Sequence, residues 1–107
     1  MSKQGFFDQH WLDENGRPAG GVTSGRGFTI SWQNGPLGTG DDRREPNGAF
    51  VEDVIAAVIS RIECYQRSEF ANDYNAAALV SLRDAAMHLD RRTKDREARG
   101  VEGTHVK

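Results

Sequence analysis

The spacing of apolar residues changes once along this chain, near residue 48. From Ala49 onward, Val51, Val54, Ile55, Val58, Ile62 and Tyr65 recur every three or four positions, the spacing of one helix face. The pattern predicts a helix ending near Arg67 or Ser68. A second is predicted to begin near Asn72 or Asp73, either of which can cap its free amides. Ala78, Leu79, Leu82, Ala85, Ala86 and Leu89 form its apolar stripe. Gly100 ends it, because a left-handed residue just past a helix end costs glycine nothing. So short a connection folds the helices back on each other as an antiparallel hairpin, with alanines permitting close approach.

The first half is punctuated differently. All three prolines and most of the glycines precede residue 48, whereas 48–99 hold no proline and no interior glycine. Phe28-Thr-Ile-Ser-Trp32 is rich in β-formers and reads as a strand, stopped by the turn residues Asn34-Gly35-Pro36. Residues 6–12 are its expected partner, with Asn15-Gly16 as the intervening turn. Residues 38–47 have no periodicity and read as an exposed loop. The expected fold class is α+β within a single domain, 1–107. A small N-terminal antiparallel β-sheet occupies 1–47, and an antiparallel two-helix hairpin with a C-terminal tail occupies 48–107.

Composition narrows the chemistry. With 107 residues there is room for one modest core, and a mean hydropathy of -0.69 leaves much of the surface polar, so self-association is an expected source of further burial. A net charge of -2 and a pI near 5.9 argue against coating nucleic acid by bulk electrostatics; any anion site must be local. Cys64 is the single cysteine, which excludes an intrachain disulfide or a cysteine-built zinc site and suits a reducing cytoplasm. With no basic activator beside it, Cys64 is expected to be a small buried residue. The opening residues Met-Ser-Lys-Gln-Gly-Phe-Phe-Asp lack the apolar run of a signal peptide or membrane helix, so an intracellular protein is expected.

One constellation stands out. Arg92, Arg96 and Arg99 fall at i, i+4 and i+7, so their guanidinium groups leave one side of the second helix. Arginine's fixed fork of donors matches phosphate oxygens in pairs and keeps its charge at any physiological pH. The plainer reading is a salt-bridged helix end: Asp95 can pair with Arg91 or Arg99, and the helix dipole favours cations here without any ligand. Just beyond, Gly100-Val-Glu-Gly103-Thr104 offers flexible backbone amides and a hydroxyl able to close over an anion, or simply a frayed tail. Near the hairpin tip, Tyr65 can stack on a base and Asn75 can read its edge. Phe70 is expected to pack, and Tyr65 equally continues the apolar stripe. His10, His88 and His105 lack metal spacing, no phosphate loop precedes a helix, and Asp84 and Asp90 read as solvated positions; no catalytic residue, metal or cofactor is expected.

Three segments, Ile30-Ser-Trp-Gln-Asn-Gly-Pro36, Asn47-Gly-Ala-Phe-Val-Glu-Asp-Val54 and Arg92-Thr-Lys-Asp-Arg-Glu-Ala-Arg-Gly-Val-Glu-Gly-Thr104, together resemble the phage Thoeris anti-defence sponge proteins. The resemblance covers about residues 29–105, and the tail segment is its specific element. It implies a non-enzymatic protein in the cytoplasm of an infected bacterium. Such a protein holds cyclic ADP-ribose isomers made by a TIR-domain defence enzyme and so starves the downstream effector. It further implies a dimer, with hexamers and a separate cyclic oligonucleotide site in some members. Carried over by position, it gives Arg92 and Arg96 to phosphate and Tyr65 and Asn75 to the base. The chain departs from the family at Asn72-Asp-Tyr-Asn75, where a Cys-Arg-Glu-Asn segment is usual, and at Arg83-Asp84, where a paired acidic step is usual. The first departure bears on the preferred isomer, the second on subunit packing. The competing class is a small nucleic-acid-binding or phage accessory structural protein using the same cationic helix end, which would show steep salt dependence on polynucleotides.

Overall fold

A computed structural model describes residues 5–107, so the first four of the opening residues lie outside the described part. The described chain forms two compact units: residues 5–50 with Gly103–Lys107, and Val51–Glu102.

The first unit is built on a three-stranded antiparallel meander of β1 (Phe7–Leu12), β2 (Pro18–Gly25) and β3 (Phe28–Trp32), in the order β1-β2-β3. The strand expected over 6–12 forms from Phe7 onward, but its partner is β2 and not Phe28–Trp32, which β2 separates from it. Pro18-Ala-Gly-Gly-Val-Thr-Ser-Gly25 has neither apolar alternation nor bulk, and it becomes a strand because both of its edges are paired. A polar chain also links the three strands: Trp32 Nε1 donates to Thr23 Oγ1 at 2.8 Å, and that hydroxyl donates to Asp8 Oδ1 at 2.8 Å. The turn between β1 and β2 falls at Asn15-Gly16 as expected. Asp13 closes it, its carboxylate accepting from the main-chain N–H of Asn15 and Arg17. These bonds hold the Asp13 carboxyl below its usual range; the Arg17 amide has the largest effect.

Past β3, the side chains of Gln33 and Asn47 tie residues 33–34 to 47–48. Gln33 Oε1 accepts from the Asn47 and Gly48 amides, and Asn47 Oδ1 accepts from the Asn34 amide. Residues 39–47 are exposed and irregular apart from a short 3-10 turn, Gly40–Asp42.

The second unit is the helical hairpin, α1 (Val51–Gln66) and α2 (Asp73–Ala98). Asn72 caps α2 by accepting from the Asn75 amide at 2.8 Å, and its own amide and carbonyl are bound by the Gln66 side chain. Two ion pairs cross between the helices, Glu63 with Arg83 at 2.9 Å and Glu52 with Arg92 at 3.4 Å, consistent with an antiparallel arrangement. Ala78, Leu79, Leu82, Ala85, Ala86 and Leu89 are covered positions of α2, as the periodicity predicts, and among the described residues Leu79 is the buried hydrophobic one, 6% exposed.

On α1 the expected face divides. Val54, Ile55 and Ile62 are half-buried, but Val51, Val58 and Tyr65 stay exposed at seven-residue intervals, as do Val80 and Met87 on α2. Two helices cover only one side of each other, so an apolar stripe wider than that contact remains in solvent. Cys64 is exposed as well, correcting the expectation of a buried thiol, and Phe70, in the connection between the helices, is 69% exposed instead of packed.

Candidate functional site

The arginine end of the hairpin is shaped by how α2 stops. Gly100 adopts φ 74°, its N–H bonds the Glu97 carbonyl, and the Val101 N–H bonds the Arg96 carbonyl at 2.9 Å. This pairing is the Schellman closure that a left-handed glycine makes possible. It turns the Val101 carbonyl back along the helix, where Arg96 Nη2 donates to it at 3.0 Å. Arg96, the half-buried member of the stripe, is thus oriented by the backbone it caps.

The flanking arginines meet carboxylates. Arg99 Nε donates to Asp95 Oδ2 at 3.0 Å, one of the two pairings open in the sequence. Arg92 Nη2 donates to Glu52 Oε1, from the first turn of α1. Each of the three therefore holds at least one intramolecular acceptor, which limits the rotamers available to these long side chains. Between Arg91 and Arg99 the sequence carries five cations against two carboxylates, and Glu52 brings a further carboxylate to this end.

Tyr65 and Asn75 lie at the other end, flanking the connection between the helices. Arg61 covers one side of the Tyr65 ring, its guanidinium carbon 5.0 Å from the centroid, and donates from Nε to the phenol oxygen at 3.2 Å. That hydrogen bond, with Coulombic contributions from Tyr65 and Cys64, raises the pKa of Arg61. Asn75 uses its main-chain N–H in the cap. Tyr74, 89% exposed, and Phe70 add two open aromatic rings to this tip.

The two groups of candidates are not brought together within the hairpin. Asn75 and Arg92 share the uninterrupted helix α2, and seventeen residues of helix place them about 25 Å apart.

Gly103 and Thr104 belong to the sheet-containing unit. The Gly103 carbonyl accepts from the Gly38 N–H at 2.8 Å, and a Cβ on Gly103 would lie 2.4 Å from the Gly38 carbonyl oxygen. Thr104 Oγ1 accepts from the Val106 amide. Gly103, in a segment expected to be a flexible closing one or a frayed tail, is bonded to Gly38 and admits no side chain.

Three residues escaped the sequence reading. Glu52 was hidden because its partner lies forty positions away. Arg61 was visible in principle, since Arg61 and Tyr65 have i, i+4 spacing. Tyr74 enters the sequence reading only within the segment Asn72-Asp-Tyr-Asn75, because it follows the cap without joining any apolar stripe. Among the described residues no group of three His, Cys, Asp or Glu is placed to hold a metal ion, and no helix is long and apolar enough to cross a membrane.

A small antiparallel sheet joined to a helical hairpin, cationic at one end and aromatic with amides at the other, defines a hairpin-domain protein of the α+β class. The family model for the Acb2/Tad1 hairpin domain matches residues 25–94, and the chain belongs to that family. The match takes in Tyr65, Asn75 and Arg92 and stops before Arg96 and Arg99. Among curated proteins, Thoeris anti-defense 1 of Bacillus phage SBSphiJ7 is 44% identical over 84 residues, a stretch covering 78% of this chain and 56% of that relative. The chain thus spans about half the length of the curated relative it matches.

Proposed function

We propose that this protein is a non-catalytic sponge. It binds a cyclic ADP-ribose isomer made by a TIR-domain defence enzyme and withholds it from the effector inside an infected bacterium, blocking Thoeris immunity. The observation that carries the reading is the ordered stripe Arg92, Arg96 and Arg99 on the hairpin of a chain 44% identical to a protein named for Thoeris anti-defence. Guanidinium groups held in place lose less side-chain freedom when a phosphate arrives, and each offers paired donors to its oxygens.

The nucleoside half of the ligand is assigned to Tyr65 and Asn75. A small cyclic nucleotide does not span about 25 Å of helix, so one ligand reaches both groups only if two chains pair antiparallel and each contributes one half. The exposed residues Val51, Val58 and Tyr65 supply an apolar seam for that pairing. A homodimer is therefore the smallest assembly that completes the site, and higher assemblies are compatible with it.

The test is retention. Purified protein is mixed with a TIR-generated cyclic ADP-ribose isomer, freed of unbound ligand, and heated. Release of unaltered ligand on denaturation supports sequestration, whereas recovery of a cleaved product indicates an enzyme. The Arg92→Ala/Arg96→Ala variant is expected to lose retention with its helicity intact; a double variant that still retains ligand places the site elsewhere.

A further inference from the structure

The three stripe arginines differ in what holds them. Arg96 donates to a neutral carbonyl, and Arg99 to Asp95 one turn earlier on the same helix, a pair that α2 alone would form. Arg92 instead meets a full negative charge delivered by the opposite helix, Glu52 Oε1 at 3.4 Å. The Glu52 side chain is 34% exposed and that of Arg92 62%, so the carboxylate is the more enclosed partner and the guanidinium faces solvent. Glu52 also lies in the first turn of α1, at the positive end of the helix dipole.

A carboxylate presents to a guanidinium the same planar pair of oxygens that a phosphate does. We infer that Glu52 is an affinity-setting residue, an internal stand-in for phosphate that keeps Arg92 ordered while the site is empty and opposes the anion that replaces it. The inference rests on the reading of Arg92 as a phosphate ligand. It takes that reading further by fixing which carboxylate the ligand must outcompete at Arg92.

The size of the opposition follows from Coulomb's law. With the phosphate charge seated on Arg92 roughly 6 Å from the Glu52 carboxylate, removing the carboxylate charge tightens binding roughly 3-fold at the dielectric of water. At the effective value usual near protein surfaces the gain is roughly 100-fold. Glu52→Gln is the apt change, because its amide oxygen can still accept from Arg92 while the charge is gone.

The experiment titrates full-length wild type, Glu52→Gln, Arg92→Ala and the Glu52→Gln/Arg92→Ala double variant with inorganic pyrophosphate by calorimetry. Retention of a TIR-made cyclic ADP-ribose isomer is measured in parallel, and circular dichroism verifies folding. The expected result is tighter pyrophosphate binding by Glu52→Gln within the range above, with the gain abolished when Arg92 is absent. Equal or weaker binding by folded Glu52→Gln overturns the inference, as does a gain that survives without Arg92 or a wild type and Glu52→Gln that both fail to bind pyrophosphate. If the isomer is retained through Arg92 yet Glu52→Gln gives no gain, the sponge reading stands and the inference falls. If the pyrophosphate pattern appears but the isomer is not retained, the inference stands and the sponge reading falls.

Discussion

Gly100→Ala tests how far the end of α2 governs the cationic site. Gly100 sits at φ 74°, and a Cβ there meets nothing within 4 Å, so the whole effect is conformational and not steric. Holding an L-residue in the left-handed region costs roughly 1–2 kcal/mol. Alanine recovers about 0.4–1 kcal/mol of that by restricting the unfolded chain. The expected net destabilisation is about 1 kcal/mol, or a fall in Tm of about 4–8 °C for a unit of this size. If the chain relieves the strain by abandoning the left-handed turn, the Val101 carbonyl swings away and Arg96 loses its 3.0 Å acceptor. Thermal melting followed by circular dichroism reads the first effect and ligand retention the second. Gly100→Asn should recover part of both, since asparagine tolerates this conformation better than alanine. A Gly100→Ala protein that melts at or above the wild-type temperature would refute the reasoning, because no contact is available to compensate.

Two further outcomes are expected. The Asp13 carboxyl is held below its usual value of 3.8 mainly by the Arg17 amide, so its contribution to the β1–β2 turn is complete above that value and is lost as the pH falls through the lower folded-state value. The Asn15 and Arg17 amide resonances should shift together with a midpoint below 3.8, and a midpoint at or above it would exclude this account. In the proposed antiparallel pairing, Val58 lies midway between Val51 and Tyr65 and so falls on the two-fold axis, where Val58→Asp sets two like charges face to face. Sedimentation should then report a helical monomer that no longer retains ligand, and a Val58→Asp dimer would rule out that seam.

The sequence revealed most where the chemistry is local. Asn72 and Gly100 bound α2 because a cap needs only residues within one turn, and Leu79 identifies the covered face because its neighbours along the helix share it. Pro18–Gly25 could not be recognised as a strand, since nothing within those residues alternates; its pairing partners and Thr23's bonds to Trp32 and Asp8 make it one. The exposed part of α1 was hidden from the sequence for a related reason. Periodicity states which residues share a face, whereas burial depends on how much of that face the opposing helix covers. At the cationic end the stripe itself was legible, but its acceptors were only partly so: Asp95 was visible at helical spacing, and Glu52 and the Val101 carbonyl required the hairpin and the glycine turn.

The geometry of α2 carries a consequence for how a sponge of this kind would work. Twenty-six continuous residues make a strut of about 39 Å, long enough that the arginines of one hairpin and its tyrosine and asparagine can never share a small ligand. A second hairpin reversed about Val58 would carry its own tip toward the cationic end of the first, and the symmetry of that pairing would create the same pocket twice. Each pocket would then exist only in the paired state, so ligand binding and chain pairing would be thermodynamically linked, each tightening the other by the same factor. Diluting the protein would release its ligand, and saturating ligand would hold the pair together at concentrations where the empty chains separate. Retention measured at one protein concentration would therefore understate or overstate the intrinsic grip of the arginines, and the concentration dependence itself would report whether the two ends of the hairpin serve one site.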